Sequence, residues 1–325
     1  MTNIVKNINA AQMLLKNYGK SSLSYFALHD KKRFFFSSTG NSFLAYSIEG
    51  KTVLVSGDPI GPSKDIPILL KEFNYFIKGA KLTSCFLAVN KETLENLVFM
   101  GHKKLNIGKE AIVTLSMFKK NLLKKKVRRA ERHIINQGII CKIYKRIDIP
   151  QQYLNQLQKV ADEWLVHKGG KEKRFTMTLG RIPNLIDPDC EIALALKNDQ
   201  IIGYLTFVPY GSKSLSLDAT RRKQNSSNGL IEFLLIQALE HFKKQGFSTI
   251  SLNFATFHHT TKDTNKTFHA MLVTILYKCL SHIYKTNNLY YFNNKFMPDW
   301  QDRYVVFEKR RYLPNYLFAI TKVEL

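Results

Sequence analysis

Residues 214–254 read SLSLDATRRKQNSSNGLIEFLLIQALEHFKKQGFSTISLNF. SLSLD (214–218) alternates apolar and polar residues, the period of a half-buried strand. Residues 229–245 carry Ile231, Leu234, Leu235, Ala238, Leu239 and Phe242 at helical spacing and close at Gly246. STISLNF (248–254) is strand-like again. On the N-terminal side, EIALAL (191–196) and IIGYLTFV (201–208) flank Asn198-Asp199, a hairpin signal. The predicted order is three antiparallel strands, a helix, then a strand.

The same order occurs earlier in the chain. FFFSS (34–38) precedes the turn signal Thr39-Gly40-Asn41. SFLAYSI (42–48) ends at Glu49-Gly50, and TVLVSG (52–57) ends at Asp58-Pro59. Ile66, Leu69, Leu70, Phe73, Phe76 and Ile77 mark a helix over 65–78. LTSCFLAV (82–89) reads as a strand, 91–100 as a short helix before Gly101, and AIVTLSM (111–117) as another strand. Two halves with one element order predict an α/β (α+β) protein built by duplication. Each copy has a mixed, mostly antiparallel sheet flanked by helices, not a doubly wound parallel sheet. The expected division is 1–118, a basic connecting helix over 119–138, and 139–325. A chain of 325 residues is long enough for two cores.

Lys and Arg number 49 against 25 Asp and Glu, a net charge of +24. Such an excess points to a polyanionic partner, either nucleic acid or an anionic lipid surface; a solubility device is the bland alternative. Apolar residues at 45% and charged residues at 23% are ordinary for a globular chain and exclude disorder. No apolar run is long enough to span a bilayer, and MTNIVKNINAAQML lacks the apolar core of a secretory signal. Cys85, Cys141, Cys190 and Cys279 form no C-x-x-C pair and have no His at zinc spacing. They read as free thiols in a reducing compartment, and no metal is expected. HExxH, G-x-S-x-G and GxxxxGK[ST] are absent, which removes zincin, hydrolase-elbow and P-loop chemistry.

Between the halves, KKNLLKKKVRRAERHIINQ (119–137) holds eight Lys or Arg and one acid, Glu131. Leu123, Val127, Ala130 and Ile134 form one apolar stripe. Lys120, Lys124, Lys125, Arg128, Arg129 and Arg132 lie on the other faces. A helix of nearly one sign, without i,i+4 Glu–Lys pairs, suits a phosphate backbone or an anionic membrane. A solvated linker face is the other reading.

The element order is that of the GNAT acyltransferase fold, and particular stretches carry a closer resemblance. They are YGKSSLSYFAL (18–28), FFFSSTGNSFLAYSIEGKTVLVSGDPIGP (34–62), IGKEAIVTL (107–115), ADEWLVHKGGKEKRFTM (161–177), SLSLDATRR (214–222), NGLIEFL (228–234) and FNNKFMPDWQDRY (292–304). Together with the basic helix they resemble the cytosolic catalytic domain of lysyl-phosphatidylglycerol synthase, from about residue 11 to about residue 312. The resemblance implies tandem GNAT-like folds and transfer of an aminoacyl group from aminoacyl-tRNA to a hydroxyl of phosphatidylglycerol. Aminoacyl-tRNA is then a co-substrate, no cofactor is needed, and lysine is the family's default amino acid. The implied place is cytoplasmic, peripheral at the inner face of the membrane. Many family members carry a multi-span module ahead of this domain; this sequence shows none, so either the protein docks peripherally, with a separate flippase as a candidate partner, or its acceptor is something else.

The resemblance also implies site residues. Asp218 and Arg221 match a family D-x-x-R pair, expected just past the third strand of the second half. Asp218 would hold the amino group of the aminoacyl moiety, and Arg221 a phosphate or the terminal adenosine. At i, i+3 the two also have the spacing of a surface ion pair. Lys295 would stabilise an oxyanion or grip a lipid phosphate, or it is a turn lysine. The family's F-K-x-K-F element is Phe292-Asn293-Asn294-Lys295-Phe296 here, so one lysine is missing. Glu172, Arg222 and Tyr304 are candidate substrate contacts. Lys120, Lys124, Lys125, Arg128, Arg129 and Arg132 are the candidate tRNA or lipid contacts. Asp58 in SGDPIG reads first as a turn device, the aromatics around Tyr290–Phe296 as core, and His258-His259 is set aside. The rival readings are an acyl-CoA-dependent GNAT, tRNA-dependent transfer to a peptide or cell-wall precursor, and a non-catalytic tRNA or membrane binder. The CoA reading needs a Gly-rich phosphate cradle, and RRKQNSSNGL (221–230) offers only Gly229.

Overall fold

The computed structural model describes residues 2–167, 178–256 and 286–324. Helix α1 (Thr2–Tyr18) leads into a meander of β1 (Arg33–Phe36), β2 (Phe43–Glu49) and β3 (Thr52–Ser56). Helix α2 (Ile66–Gly79) crosses to β4 (Thr83–Val89), parallel to β3, and α3 (Lys91–Phe99) leads to β5 (Lys103–Thr114). After α4 (Lys125–Asn136), β6 (Ile140–Lys145) and α5 (Gln151–His167) come the antiparallel strands β7 (Glu191–Lys197), β8 (Gln200–Tyr210) and β9 (Ser214–Arg222). Helix α6 (Leu230–Lys244) crosses to β10 (Thr249–Thr256), parallel to β9. The chain closes with α7 (Thr286–Asn293), β11 (Asp299–Phe307) and α8 (Leu313–Glu324). The repeated order read from the sequence is therefore present, as an α/β arrangement with a mixed sheet flanked by helices.

All eleven described strands form one sheet, in the order β1-β2-β3-β4-β11-β5-β10-β9-β8-β7-β6. The two halves interleave at its centre. Strand β5 of the first half pairs with β10 of the second, while β11, from the end of the chain, runs between β4 and β5. Helix α8 then packs back on β2 and β3. The sheet runs unbroken across the 119–138 segment, and residues 299–324 build onto the first half.

Each half carries a break in its parallel strand. In β4, Ala88 has φ +57 where the register against β11 shifts; in β10, Asn253 has φ +72 where the register against β5 shifts. A left-handed Ala is strained by about 1 kcal/mol or more, whereas Asn adopts this region more readily. The bulge also re-aims side chains. Ile250 and Leu252 pack towards α6, but Phe254 packs on the opposite face with Tyr25 and Leu179.

The join is sealed by buried charge. Glu110 on β5 has no exposure, and its carboxylate accepts from Arg303 Nε on β11 at 2.9 Å and from the Ser22 and Ser251 hydroxyls. Arg303 also meets Asp58 Oδ2 at 3.2 Å, and Asp58 Oδ1 accepts from the Asn90 amide at 2.9 Å. Asp58, placed in a turn by the sequence, thus also ties β3 to β4 and β11. Removing one member of such a buried set leaves uncompensated charge, which costs about 3–5 kcal/mol.

Candidate active site

Strand β9 is longer than its alternating pattern suggested. It continues through Arg222, which pairs with Gly203, so Asp218 and Arg221 lie within the strand and not beyond it. The extension is possible because Gly203 has no side chain; a Cβ there would stand 2.9 Å from Leu230. The register then does something a plain strand would not. Thr206 faces Ala219 and Phe207 faces Leu217, so Asp218 is the extra residue of a bulge. In a regular strand, positions i and i+3 point to opposite faces. The bulge restores the two to one face, the side covered by α5.

Asp218 is held there by donors. Thr178 Oγ1 and the Leu179 amide donate to Oδ1 at 2.7 and 2.8 Å, and Thr206 Oγ1 donates to Oδ2 at 3.1 Å. Burial pushes its carboxyl up to about 6, and these three hydrogen bonds, with Arg181 nearby, pull the other way. The group is therefore ionised at neutral pH yet titrates close to it. A carboxylate offers about four lone-pair directions, of which three are taken among the described residues. Arg221 does not pair with it. Its guanidinium lies 4.0 Å from the centroid of the Trp164 ring on α5 and donates to Thr220 O. Burial lowers Arg221 to about 10, so it stays charged at neutral pH. The surface-ion-pair alternative for Asp218 and Arg221 does not describe this geometry.

Behind Asp218 sits a second charged cluster. Arg181 NH2 donates to both oxygens of the buried Asp187 at 3.0 Å each, and Tyr25 OH donates to Asp187 Oδ1 at 3.1 Å. Trp164, Thr178, Thr206 and Arg181 received no role from the sequence. Trp164 falls in ADEWLVHKGGKEKRFTM (161–177), one of the stretches that resemble the family. The two threonines become visible only once the bulge sets which residues face Asp218.

The other sequence-predicted residues lie elsewhere. Lys295 is on the α6 side of the sheet, its ammonium 2.7 Å from Glu232 and above the Phe292 ring. It is thus held by an acid on α6, and no described contact brings it to Asp218. Asn293, at the first lysine position of the family element, is buried and donates to Leu252 O at 3.1 Å. Arg222 reaches Ser226 Oγ at 3.5 Å, near the start of α6. Tyr304 is half-buried against the α2–α3 core of the first half. Glu172 and His258-His259 lie outside the described residues.

The basic segment forms α4 as a helix, preceded by a 3-10 turn at Lys120–Leu122. Its buried stripe holds Val127 and Ile134 and also Glu131, the single acid. Glu131 is met by Lys120 Nζ at 2.6 Å and by Gln237 Nε2 at 2.8 Å. Burial would lower the Lys120 ammonium, but the bond and charge of Glu131 outweigh it and hold it above its ordinary value. Lys120 is therefore engaged within the fold, contrary to the expectation that it is an open anion contact. Arg128 donates to Leu123 O at 3.1 Å. Lys124, Lys125, Arg129 and Arg132 are exposed and have no ion-pair partner among the described residues. Helix α4 also lies over the start of α6. Gly229, at φ +94, would place a Cβ 2.8 Å from Ala130 Cβ, and Ser227 Oγ donates to Gln137 at 2.6 Å. Gly229 thus serves a turn and a close helix contact.

Among the described residues, no helix is long and apolar enough to cross a membrane, and no group of His, Cys, Asp and Glu is arranged to hold a metal ion. The family described as phosphatidylglycerol lysyltransferase, C-terminal, matches residues 12–307. The lysylphosphatidylglycerol biosynthesis bifunctional protein LysX of Rhodococcus jostii is 29% identical over 324 residues, covering 97% of this chain and 29% of that protein. The LysX of Gordonia bronchialis is 30% identical over 303 residues, covering 90% of this chain and 26% of that protein. The chain thus spans under a third of the length of these curated relatives. Among solved structures, L-PGS from Bacillus licheniformis superposes with a TM-score of 0.85 at 24% identity, covering 97% of this chain and 96% of that one. With the family matching nearly the whole described sheet, the chain belongs to the phosphatidylglycerol lysyltransferase C-terminal family.

Proposed function

We propose that this chain transfers an aminoacyl group, lysine by family default, from aminoacyl-tRNA to a hydroxyl of phosphatidylglycerol. The observation that carries the reading is Asp218. It is a buried carboxylate with three donors among the described residues and a stacked guanidinium on the same face. The donor is an activated ester, so the work is positioning, charge stabilisation and exclusion of water. Asp218, ionised at neutral pH, attracts the ammonium of the aminoacyl group and fixes its carbonyl in place. Arg221, set by Trp164, holds an anionic group: a phosphate of either substrate, or the oxyanion formed when the lipid hydroxyl attacks. The ester bond to the tRNA ribose breaks as a new ester bond to glycerol forms, and the proton lost by the attacking hydroxyl ends on the ribose oxygen. The basic surface of α4 supports a polyanionic substrate. The acyl-CoA alternative is disfavoured because α4 covers the start of α6, where a pyrophosphate would otherwise rest.

The test uses Asp218→Ala and Arg221→Lys with charged tRNA and phosphatidylglycerol vesicles. The expected result is loss of transfer by on the order of a hundredfold or more with tRNA affinity retained. Transfer at the wild-type rate in Asp218→Ala would refute the assignment.

A further inference from the structure

We infer that the segment from Ser116 to Leu122, together with the start of α4, is the edge that docks on an anionic bilayer, with Met117 and Leu122 entering the lipid. This rests on the reading that the acceptor is a membrane lipid. It goes further by choosing which polyanion the basic surface meets. The segment is a held loop. Leu115, Phe118 and Leu123 are buried and anchor it, and Lys243 Nζ donates to Ser116 O at 3.3 Å and Phe118 O at 2.6 Å. Between those anchors Met117 is 73% exposed and Leu122 59%. Isolated exposed apolar side chains are common and need no explanation. These two stand among exposed lysines. Lys119, Lys124, Lys125 and Lys126 are exposed, without an ion-pair partner among the described residues. Lys213 and Lys244 are exposed at the same end of the sheet, where Ser248 bonds both Leu115 and Lys213. Of the acids beside the loop, Glu131 and Glu240 are met by Lys120, and Asp299 accepts from the Thr114 hydroxyl at 3.0 Å, so lysines outnumber the acids there.

An RNA backbone would use the lysines but has no use for Met117 and Leu122, because single-stranded bases stack on aromatic rings and guanidinium planes. Aliphatic side chains ringed by lysine are the chemistry of an interfacial anchor, whose apolar groups enter the acyl boundary while the ammonium groups meet lipid phosphates. Each lysine near an anionic surface strengthens partitioning by about fivefold.

The experiment measures binding of the full chain to vesicles of phosphatidylcholine alone or with phosphatidylglycerol, and separately to uncharged tRNA. Met117→Ser/Leu122→Ser should weaken binding to the anionic vesicles at least fivefold and leave tRNA affinity unchanged. Lys124→Ala/Lys125→Ala/Lys126→Ala should weaken vesicle binding on the order of a hundredfold. Leu122→Trp should show a blue-shifted emission increment on anionic vesicles that Phe99→Trp, an equally apolar exposed site on α3, does not. Loss of tRNA affinity with vesicle binding intact in the serine variant would overturn the inference and make the surface an RNA platform. A shift at Phe99→Trp alone would overturn it and move the docking edge. These readouts need no catalysis, so failure of lipid aminoacylation with vesicle docking intact would refute the proposed reaction and leave the docking edge standing.

Discussion

Asp218→Asn should make the protein more stable at neutral pH while removing its chemistry. Burial raises the Asp218 carboxyl from its ordinary 3.8 to about 6. An acid whose pKa rises on folding binds its proton more tightly in the native state. Its contribution is present below the unfolded value and lost as pH rises through the native one. At about 1.4 kcal/mol per unit, ionising Asp218 costs the native state about 3 kcal/mol between about pH 4 and pH 6. Asn is isosteric and does not ionise. Its oxygen can keep the Leu179 amide and the Thr178 hydroxyl, and the Thr206 hydroxyl can accept from the new amide. The hydrogen-bond loss is therefore held to about 1 kcal/mol. Urea titrations of both proteins at pH 4, 5, 6 and 7.5, followed by circular dichroism, give the difference in unfolding free energy. It should move by about 2.5 kcal/mol in favour of the variant from pH 4 to pH 7.5. A difference that is flat with pH would refute the buried, titrating carboxylate on which the site is built.

Further outcomes follow from the same contacts. Arg303→Met strands Glu110 and Asp58 in the sheet and should cost about 3–5 kcal/mol by denaturant unfolding; a loss under about 1 kcal/mol would show that the network is not what seals the two halves. Lys120→Met should lower stability by about 1–3 kcal/mol because Glu131 loses its partner. Lys125→Met should leave stability within about 0.5 kcal/mol and weaken polyanion binding, with a shallower salt dependence; equal effects of the two on binding would contradict the different placements of these lysines. Transfer should rise with pH through about 6 as Asp218 ionises, and a profile flat from pH 5 to pH 8 would exclude the ionised form as the working one.

Much of the fold was legible because periodicity is local. The meander, both crossover helices and both parallel strands fall within a few residues of where Ile66–Ile77, Ile231–Phe242 and the Gly and Asn-Asp turns place them. What escaped was non-local. Strand β11 hides in DWQDRYVVF because its charges look exposed; Arg303 is buried only because Glu110 and Asp58 arrive from distant strands to meet it. Helix α5 has only Tyr153, Leu157, Val160 and Ala161 buried among polar residues, a weak stripe that covers one face of the second half. The site was half visible. Asp218 and Arg221 came from a resemblance, but their shared face depends on a bulge against Thr206 that no strand pattern encodes. Lys120 looked like its basic neighbours because its partner, Glu131, is buried on the next helix turns, and burial is not written in a charge run.

Aminoacyl transfer to a lipid hydroxyl can be followed directly as label passing from tRNA to lipid. Purified protein would be mixed with tRNA carrying radiolabelled lysine or, separately, alanine, together with phosphatidylglycerol vesicles, and the lipid extracted. Label should appear in the lipid from one of the two amino acids, and none when Asp218→Ala replaces the wild type. An intact tRNA ester with no label in the lipid would contradict the proposed transfer.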